Sequence, residues 1–69
     1  MNLKQIREAR AMSRNDLAKA VGVSVFTVRN WEQGQREPDI AHLKALARTL
    51  HVTVDELVGM SEAFGGDAP

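Results

Sequence analysis

The chain contains no cysteine, and aromatic residues make up only 4% of its 69 residues. The missing cysteines exclude a disulfide framework and a thiolate metal site, so stability must come from packed secondary structure. No apolar run approaches the roughly 20 residues of a membrane-spanning helix, and the N-terminus lacks the pattern of a secretory signal. We therefore expect a cytoplasmic protein with no membrane contact.

Features of an enzyme are also missing. A chain of this length forms one small domain that buries too little surface to enclose a large substrate cavity. It has no cysteine nucleophile, no phosphate-binding glycine loop and no close serine, histidine and carboxylate grouping. His42 and His51 are too few for a metal site. We expect no catalytic residue, no metal and no cofactor.

An excess of charge of one sign is absent as well, because nine Lys and Arg residues balance nine Asp and Glu residues. The two halves of the chain nevertheless differ. Residues 1–36 hold seven basic and three acidic side chains, whereas residues 37–69 hold two basic and six acidic ones. Because phosphate binding needs local positive potential, only the first half is suited to nucleic acid.

Apolar residues recur at intervals of three and four along most of the chain, which favours helices, and hydrophobic residues amount to 43% of it. This pattern predicts an all-α fold with five helices, at about residues 2–11, 14–21, 25–33, 40–51 and 54–58. We assign residues 1–59 to one domain. Residues 60–69, which include two adjacent glycines and a terminal proline, are expected to form a flexible tail.

Local capping signals support these boundaries. Ser13 precedes Asp16 by three residues, and Thr53 precedes Glu56 by three, so both pairs predict capping boxes. Ser24 and Asp39 are further candidate N-caps, and Gly22 and Gly59 are candidate helix ends. His51 follows the fourth helix at the position where glycine is favoured, so a left-handed conformation is expected to strain it by about 1–2 kcal/mol. The predicted buried face of the fourth helix consists of Ile40, Leu43, Leu46, Ala47 and Leu50.

Two short helices joined by a tight glycine turn, at residues 14–21 and 25–33, match the helix-turn-helix. Ala18 is small where the helices would cross closely, and Gly22 is suited to the turn. The residues expected to form the shared core are Leu17, Val21, Val23, Val28 and Trp31. Trp31 is therefore predicted to be buried, and His42 to be a surface residue.

The sequence resembles the Cro/repressor-type (XRE) helix-turn-helix family over about residues 2–59. The matching motifs are Leu3-x-x-x-Arg7, Leu17-Ala18-x-x-Val21-Gly22-Val23-Ser24, Val28-x-x-Trp31-Glu32-x-Gly34, Pro38 and Leu43-x-x-Leu46-Ala47-x-x-Leu50. The resemblance implies a compact five-helix bundle of the lambda-repressor-like type whose third helix lies in the major groove of operator DNA. It also implies a buried salt bridge between Arg7 and Glu32. The expected function is a sequence-specific transcriptional regulator, a repressor of bacterial or phage type.

By the same resemblance, the base-reading positions are Val25, Phe26, Arg29 and Asn30. Asn30 has the donor and acceptor needed for adenine, and Arg29 can reach guanine or a phosphate. Phe26 departs from the polar residues that many relatives carry. Three alternatives are open for it: contact with thymine methyl groups, contact with another protein, or packing in the core.

Phosphate contacts are expected on both sides of the third helix. The candidates are Arg14, Asn15, Thr27, Gln33, Gln35 and Arg36. A cation at Arg14 opposes the helix dipole by about 0.3–1 kcal/mol, which a phosphate would offset. The alternative for Arg14 is a solvated surface side chain.

A single helix-turn-helix makes few contacts, so we expect a weak homodimer on palindromic double-stranded DNA. The candidate dimer contacts are Val58, Met60 and Phe64. The alternative to DNA binding is a protein-binding module of the same fold, such as an antitoxin or an adaptor. The neutral overall charge and the apolar pair Val25 and Phe26 favour that alternative.

Overall fold

A computed structural model describes residues 1–59, and the predicted tail at 60–69 lies outside the described residues. The described part is all-α with five helices and no strand, which confirms the predicted fold class. The helices are α1 (Leu3–Ala9), α2 (Arg14–Val21), α3 (Val25–Glu32), α4 (Ile40–Leu50) and α5 (Val54–Val58). None of them has the length and apolar content needed to cross a membrane.

Helix α1 is shorter than the sequence predicted. It ends at Ala9 because Ala11 takes a left-handed conformation with φ 58°. The N–H groups of Arg10 and Met12 both donate to the carbonyl of Arg7, at 3.1 and 3.2 Å. This closing pattern usually has glycine at the left-handed position. Alanine occupies that position here, so the turn was not recognisable from residue type.

The predicted caps of α2 and α5 are both confirmed as reciprocal capping boxes. The Oγ of Ser13 accepts from the N–H of Asp16 at 3.0 Å, and the N–H of Ser13 donates to the Asp16 carboxylate at 3.2 Å. Thr53 and Glu56 repeat the arrangement at the start of α5. Each box satisfies two N–H groups that a helix start leaves unpaired.

The remaining predicted caps also form. Ser24 caps α3 and Asp39 caps α4, each by accepting a hydrogen bond from the N–H three residues later. Helix α4 ends at His51, which has φ 58° and is therefore left-handed, as its position predicted. Local sequence signals thus determine most helix boundaries.

One hydrophobic core joins the five helices. Its buried members are Leu3, Leu17, Ala18, Val28, Trp31, Leu46, Leu50 and Leu57. The predicted core position of Trp31 is confirmed, because only 5% of that residue is exposed.

The prediction that Ile40 belongs to the buried face of α4 is wrong, since 71% of this residue is exposed. Ile40 is the first residue of α4, directly after the Asp39 cap. Side chains on a helix tilt toward its N-terminus, so that of Ile40 points beyond the turns that pack on α2 and α5. Leu46, Ala47 and Leu50, further along the helix, are buried as predicted.

Polar contacts connect the two ends of the described chain. The N–H of Asn2 donates to the carbonyl of Leu57 at 2.8 Å, and its side-chain amide donates to the carbonyl of Glu56 at 3.0 Å. The Nε of Arg10 donates to the carbonyl of Leu50 at 2.8 Å. These bonds connect α1 and the residues beside it to α4 and α5, while α2 and α3 pack against each other.

Candidate nucleic-acid interface

Helices α2 and α3 are joined by a turn whose geometry follows from its glycine. Gly22 has φ 84°, and the N–H groups of Gly22 and Val23 both donate to the carbonyl of Ala18, at 2.8 and 3.0 Å. Ser24, the next residue, is the N-cap of α3. Ala18 is 4% exposed, which is consistent with its predicted place at the close approach of the two helices.

Helix α3 has one face in the core and the other at the surface. Val28 and Trp31 are buried. On the opposite side, Arg29 is exposed and Asn30 is half-buried, and 64% of Phe26 is exposed. The packing of the inner face holds the outer face at a fixed orientation, as a reading helix requires.

The structure distinguishes the surroundings of the first two residues of α3. Of the three alternatives for Phe26, packing in the core is excluded, because 64% of this residue is exposed. Val25, by contrast, is half-buried and packs against the core cluster. Val25 therefore helps to hold α3 against the core, whereas the side chain of Phe26 projects from the surface.

The candidate phosphate-binding residues flank α3 on two sides. Asn15 lies exposed in the first turn of α2, and Gln33, Gln35 and Arg36 lie exposed after α3. The hydroxyl of Thr27 is 3.0 Å from that of Ser24, so it forms part of the cap of α3.

Backbone N–H groups in the loop after α3 are hydrogen-bonded within the domain. The N–H groups of Gln35 and Arg36 both donate to the carbonyl of Asn30, at 2.9 and 3.4 Å. These bonds fold the loop back onto the helix. Phosphate contact from this loop would therefore come from the side chains of Gln35 and Arg36 and not from their backbone.

A buried ion cluster lies behind this surface. The Nε of Arg7 donates to Oε2 of Glu32 at 2.6 Å, and the Nε of Arg14 donates to Oε1 at 2.9 Å. The side chain of Glu32 is 1% exposed and that of Arg7 is 9% exposed. The structure thus brings Arg7 and Glu32 together, and it adds Arg14, which the sequence did not link to this pair.

The ionisation of the cluster follows from its hydrogen bonds. Burial alone would raise the pKa of Glu32, but hydrogen bonds and charge from Arg7 and Arg14 outweigh it, so the pKa lies below its ordinary value. The hydrogen bond to Glu32 raises the pKa of Arg7. Glu32 is therefore a carboxylate and Arg7 a cation at neutral pH.

Comparison with known proteins agrees with this geometry. A family model described as helix-turn-helix matches residues 3–57, which is most of the chain.

The chain belongs to the XRE-type helix-turn-helix family. This family consists of DNA-binding transcriptional regulators and is not a class of enzymes. No solved structure matches the chain with significance.

Curated relatives of this helix-turn-helix chain are also regulators by name. It is 32% identical over 60 residues to the HTH-type transcriptional activator BcrR of Enterococcus faecalis, which is 87% of this chain and 29% of that protein. It is 32% identical over 63 residues to the HTH-type transcriptional regulator DdrOP3 of Deinococcus deserti, which is 91% of this chain and 49% of that protein.

A third relative is the uncharacterized HTH-type transcriptional regulator YobD of Bacillus subtilis. It is 28% identical over 60 residues, covering 87% of this chain and 54% of that protein. The chain therefore spans between 29% and 54% of the length of these three relatives.

Sequence reasoning missed one feature beside the helix-turn-helix. His42 lies at the surface as predicted, with 39% of its side chain exposed, but it also has two contacts that were not predicted. Its ring centroid lies 5.4 Å from that of Trp31, and its Nδ1 lies 2.8 Å from Oδ1 of Asp39. Together with Asn30 and Arg36, these residues line an open groove between α3 and the start of α4. The spacing of Asp39 and His42 could have indicated their contact, but nothing local indicates the contact with Trp31.

Within residues 1–59, no group of three or more histidine, cysteine and acidic side chains is arranged to hold a metal ion. Ser13 and Ser24 serve as helix caps, and Arg14 and Glu32 belong to the buried ion cluster. What remains exposed on α3 and beside it is suited to contacts with a ligand outside the domain.

Proposed function

We propose that the chain is a sequence-specific, double-stranded DNA-binding regulator that inserts α3 into the major groove. The single observation that carries this proposal is the outer face of α3, where Phe26 and Arg29 are exposed beside Asn30 while Val28 and Trp31 anchor the helix. A major groove about 12 Å wide admits one helix and presents base edges to such a face.

The base contacts follow from the chemistry of each side chain. Asn30 pairs with adenine N6 and N7, and Arg29 with guanine or with a phosphate. Phe26 has no hydrogen bond to offer, so it contacts the C5-methyl group of thymine. Val25, which is partly buried against the core, contributes an apolar edge at the start of the helix.

Phosphate contacts fix the domain on the duplex without reading sequence. On one side we assign them to Arg14 and Asn15 in the first turn of α2, where the helix dipole favours an anion. On the other side we assign them to Thr27, Gln33 and the loop side chains of Gln35 and Arg36. The basic balance of residues 1–36 provides the attraction.

We further propose that the domain acts as a weak homodimer on a palindromic operator and that its output is repression. Two half-sites about one helical turn apart would double the contacts of a single small domain. Val58, at the end of α5, is half-buried and available for this interface. The other two candidate contacts, Met60 and Phe64, lie outside the described residues. A domain that occupies an operator obstructs access to that DNA, which is why repression is the proposed output.

Selection of bound sequences from random duplex DNA tests binding, half-site symmetry and base preference together. We expect an enriched site with two inverted half-sites that contain adenine and thymine. Asn30→Ala should weaken binding by about 1–3 kcal/mol and relax the adenine preference. Lys44→Ala, an exposed cation on α4, is the matched control and should bind as the wild type does.

Salt dependence separates this function from the second candidate, a protein-binding module such as an antitoxin or adaptor. That candidate is favoured by the exposed Phe26 and by the neutral overall charge. A DNA binder should lose affinity log-linearly with salt, with a slope of about −0.9 per phosphate contacted. No enriched sequence and a flat salt response would reject DNA binding and favour the protein-binding module.

A further inference from the structure

The ion cluster of Glu32 distributes its hydrogen bonds unequally between two arginines. All three nitrogens of the Arg7 guanidinium donate hydrogen bonds within the domain. Nε and Nη2 donate to Glu32, at 2.6 and 3.4 Å, and Nη1 donates to the carbonyl of Met12 at 2.8 Å. Arg14 donates to Glu32 only through Nε, at 2.9 Å. Among residues 1–59, its two Nη atoms have no hydrogen-bond partner.

The charges of the cluster are also unequal. One buried carboxylate faces two cations, so the cluster retains one net positive charge. Arg7 is buried, whereas the side chain of Arg14 is 36% exposed. The surplus positive charge is therefore presented to solvent at Arg14, the first residue of α2.

Glu32 also makes this cation tolerable. A positive side chain in the first turn of a helix is unfavourable because the N-terminal end of the helix dipole is positive. The carboxylate of Glu32 offsets that repulsion and fixes one edge of the planar guanidinium. The other edge still carries donors in the fork geometry that matches a phosphate.

We propose that Glu32 is a positioning residue for DNA binding, which holds Arg14 by its Nε so that the Nη edge meets a backbone phosphate. The carboxylate itself does not touch DNA. The phosphate would lie beside the N–H groups in the first turn of α2, where Asn15 is exposed. This inference rests on the proposed function and adds to it the origin of one phosphate contact.

The arrangement requires arginine and not merely a positive charge. An ammonium group is a compact point charge without a planar fork, so a lysine at position 14 cannot present one fixed edge to Glu32 and another to phosphate. Arg14→Lys should therefore retain the salt slope of the wild type but bind less tightly. Arg14→Gln should lose both the contact and about 0.9 of the slope.

Fluorescence anisotropy with the duplex recovered by selection provides the first test. We expect Arg14→Gln to bind about tenfold or more weakly, as for a lost hydrogen bond to a charged group, and Arg14→Lys to lie between it and the wild type. Lys44→Gln, which removes an exposed cation on α4 in the acidic half of the chain, is the control and should change neither affinity nor slope. Unchanged binding by Arg14→Gln, while the wild type binds with normal salt dependence, would overturn the inference and leave the proposed function standing. No DNA binding by the wild type would overturn both.

The NMR signal of the Arg14 Nε–H group tests the positioning itself. We expect it to be protected from exchange in the free protein and to remain so in the DNA complex, because Glu32 keeps its bond. Loss of that protection on DNA binding would mean that Arg14 leaves Glu32 to reach phosphate, which contradicts the proposal.

The variant Glu32→Gln distinguishes positioning of Arg14 from a purely structural role of Glu32. Its loss of DNA affinity, measured under conditions where circular dichroism shows a folded variant, should disappear in the Arg14→Gln background. An equal loss in both backgrounds would contradict positioning through Arg14. If Glu32→Gln does not fold, the NMR signal of the Arg14 Nε–H group in the wild type tests the proposal instead.

Discussion

The Nε of Arg7 lies 2.6 Å from Oε2 of Glu32, although the two residues are 25 positions apart in sequence. This pair joins α1 to the last residue of α3. A further hydrogen bond, from Arg7 to the carbonyl of Met12, connects α1 to the segment before α2. Three parts of the domain therefore meet at one buried guanidinium.

Arg7→Ala should destabilise the domain by about 3–5 kcal/mol, because it leaves the buried carboxylate of Glu32 with one partner fewer. Such a loss is comparable with the whole stability of a small domain, so the variant should be largely unfolded. Thermal unfolding followed by circular dichroism measures the effect. Lys4→Ala, at an exposed position of α1, is the control. If Arg7→Ala had the same melting temperature as the wild type, the prediction would be contradicted.

Stability should fall in acid because of Glu32. Folding lowers the pKa of this carboxyl below its ordinary value of 4.5, so the unfolded chain takes up the proton first as the pH falls. The stabilisation is therefore complete above about pH 4.5 and is lost as the pH drops through the folded pKa. Folding also lowers the pKa values of the capping carboxyls Asp16, Asp39 and Glu56, through hydrogen bonds from the capped N–H groups, and these act in the same direction.

Urea unfolding between pH 7 and pH 3 measures this dependence. Glu32→Gln should be less stable at pH 7 and should lose less on acidification. Gln5→Ala, at an exposed position of α1 and without a change of titratable group, should keep the acid dependence of the wild type. Equal pH profiles for the wild type and Glu32→Gln would show that the cluster does not contribute.

His51→Gly should stabilise the domain by about 1 kcal/mol. His51 ends α4 with φ 58°, a left-handed conformation that costs most residues about 1–2 kcal/mol but suits glycine. In a domain of this size the gain corresponds to a rise in Tm of about 4–8 °C. His51→Ala keeps the β-carbon and is the control, so a rise of equal size in that variant would point to a cause other than backbone strain.

Phe26→Ala should weaken DNA binding with little effect on stability. Because 64% of Phe26 is exposed, we expect the free energy of unfolding to change by no more than about 0.5 kcal/mol. If Phe26 contacts a thymine methyl group, replacing that thymine by uracil in the selected duplex should cost the wild type about 0.8 kcal/mol, roughly fourfold. The same replacement should not affect Phe26→Ala, and an equal loss in both proteins would exclude the methyl contact.

The sequence alone determined where most helices begin and end. Ser13 with Asp16, Thr53 with Glu56, and Gly22 act on backbone groups within a few residues, so their patterns are sufficient to place the caps and the turn. The end of α1 was misplaced because Ala11 adopts a conformation that its residue type does not favour. The family, too, followed from motifs spread along the sequence.

Only the tertiary structure decided which side chains face one another across the domain. The link from Arg14 to Glu32, the exposure of Phe26 and Ile40, the packing of Val25 and the contact of His42 with Trp31 all depend on how the helices cross. Residue spacing specifies a direction around one helix, but a contact between helices also requires their relative position and angle. Those are set by the packing of the whole core, in which residues from Leu3 to Leu57 take part.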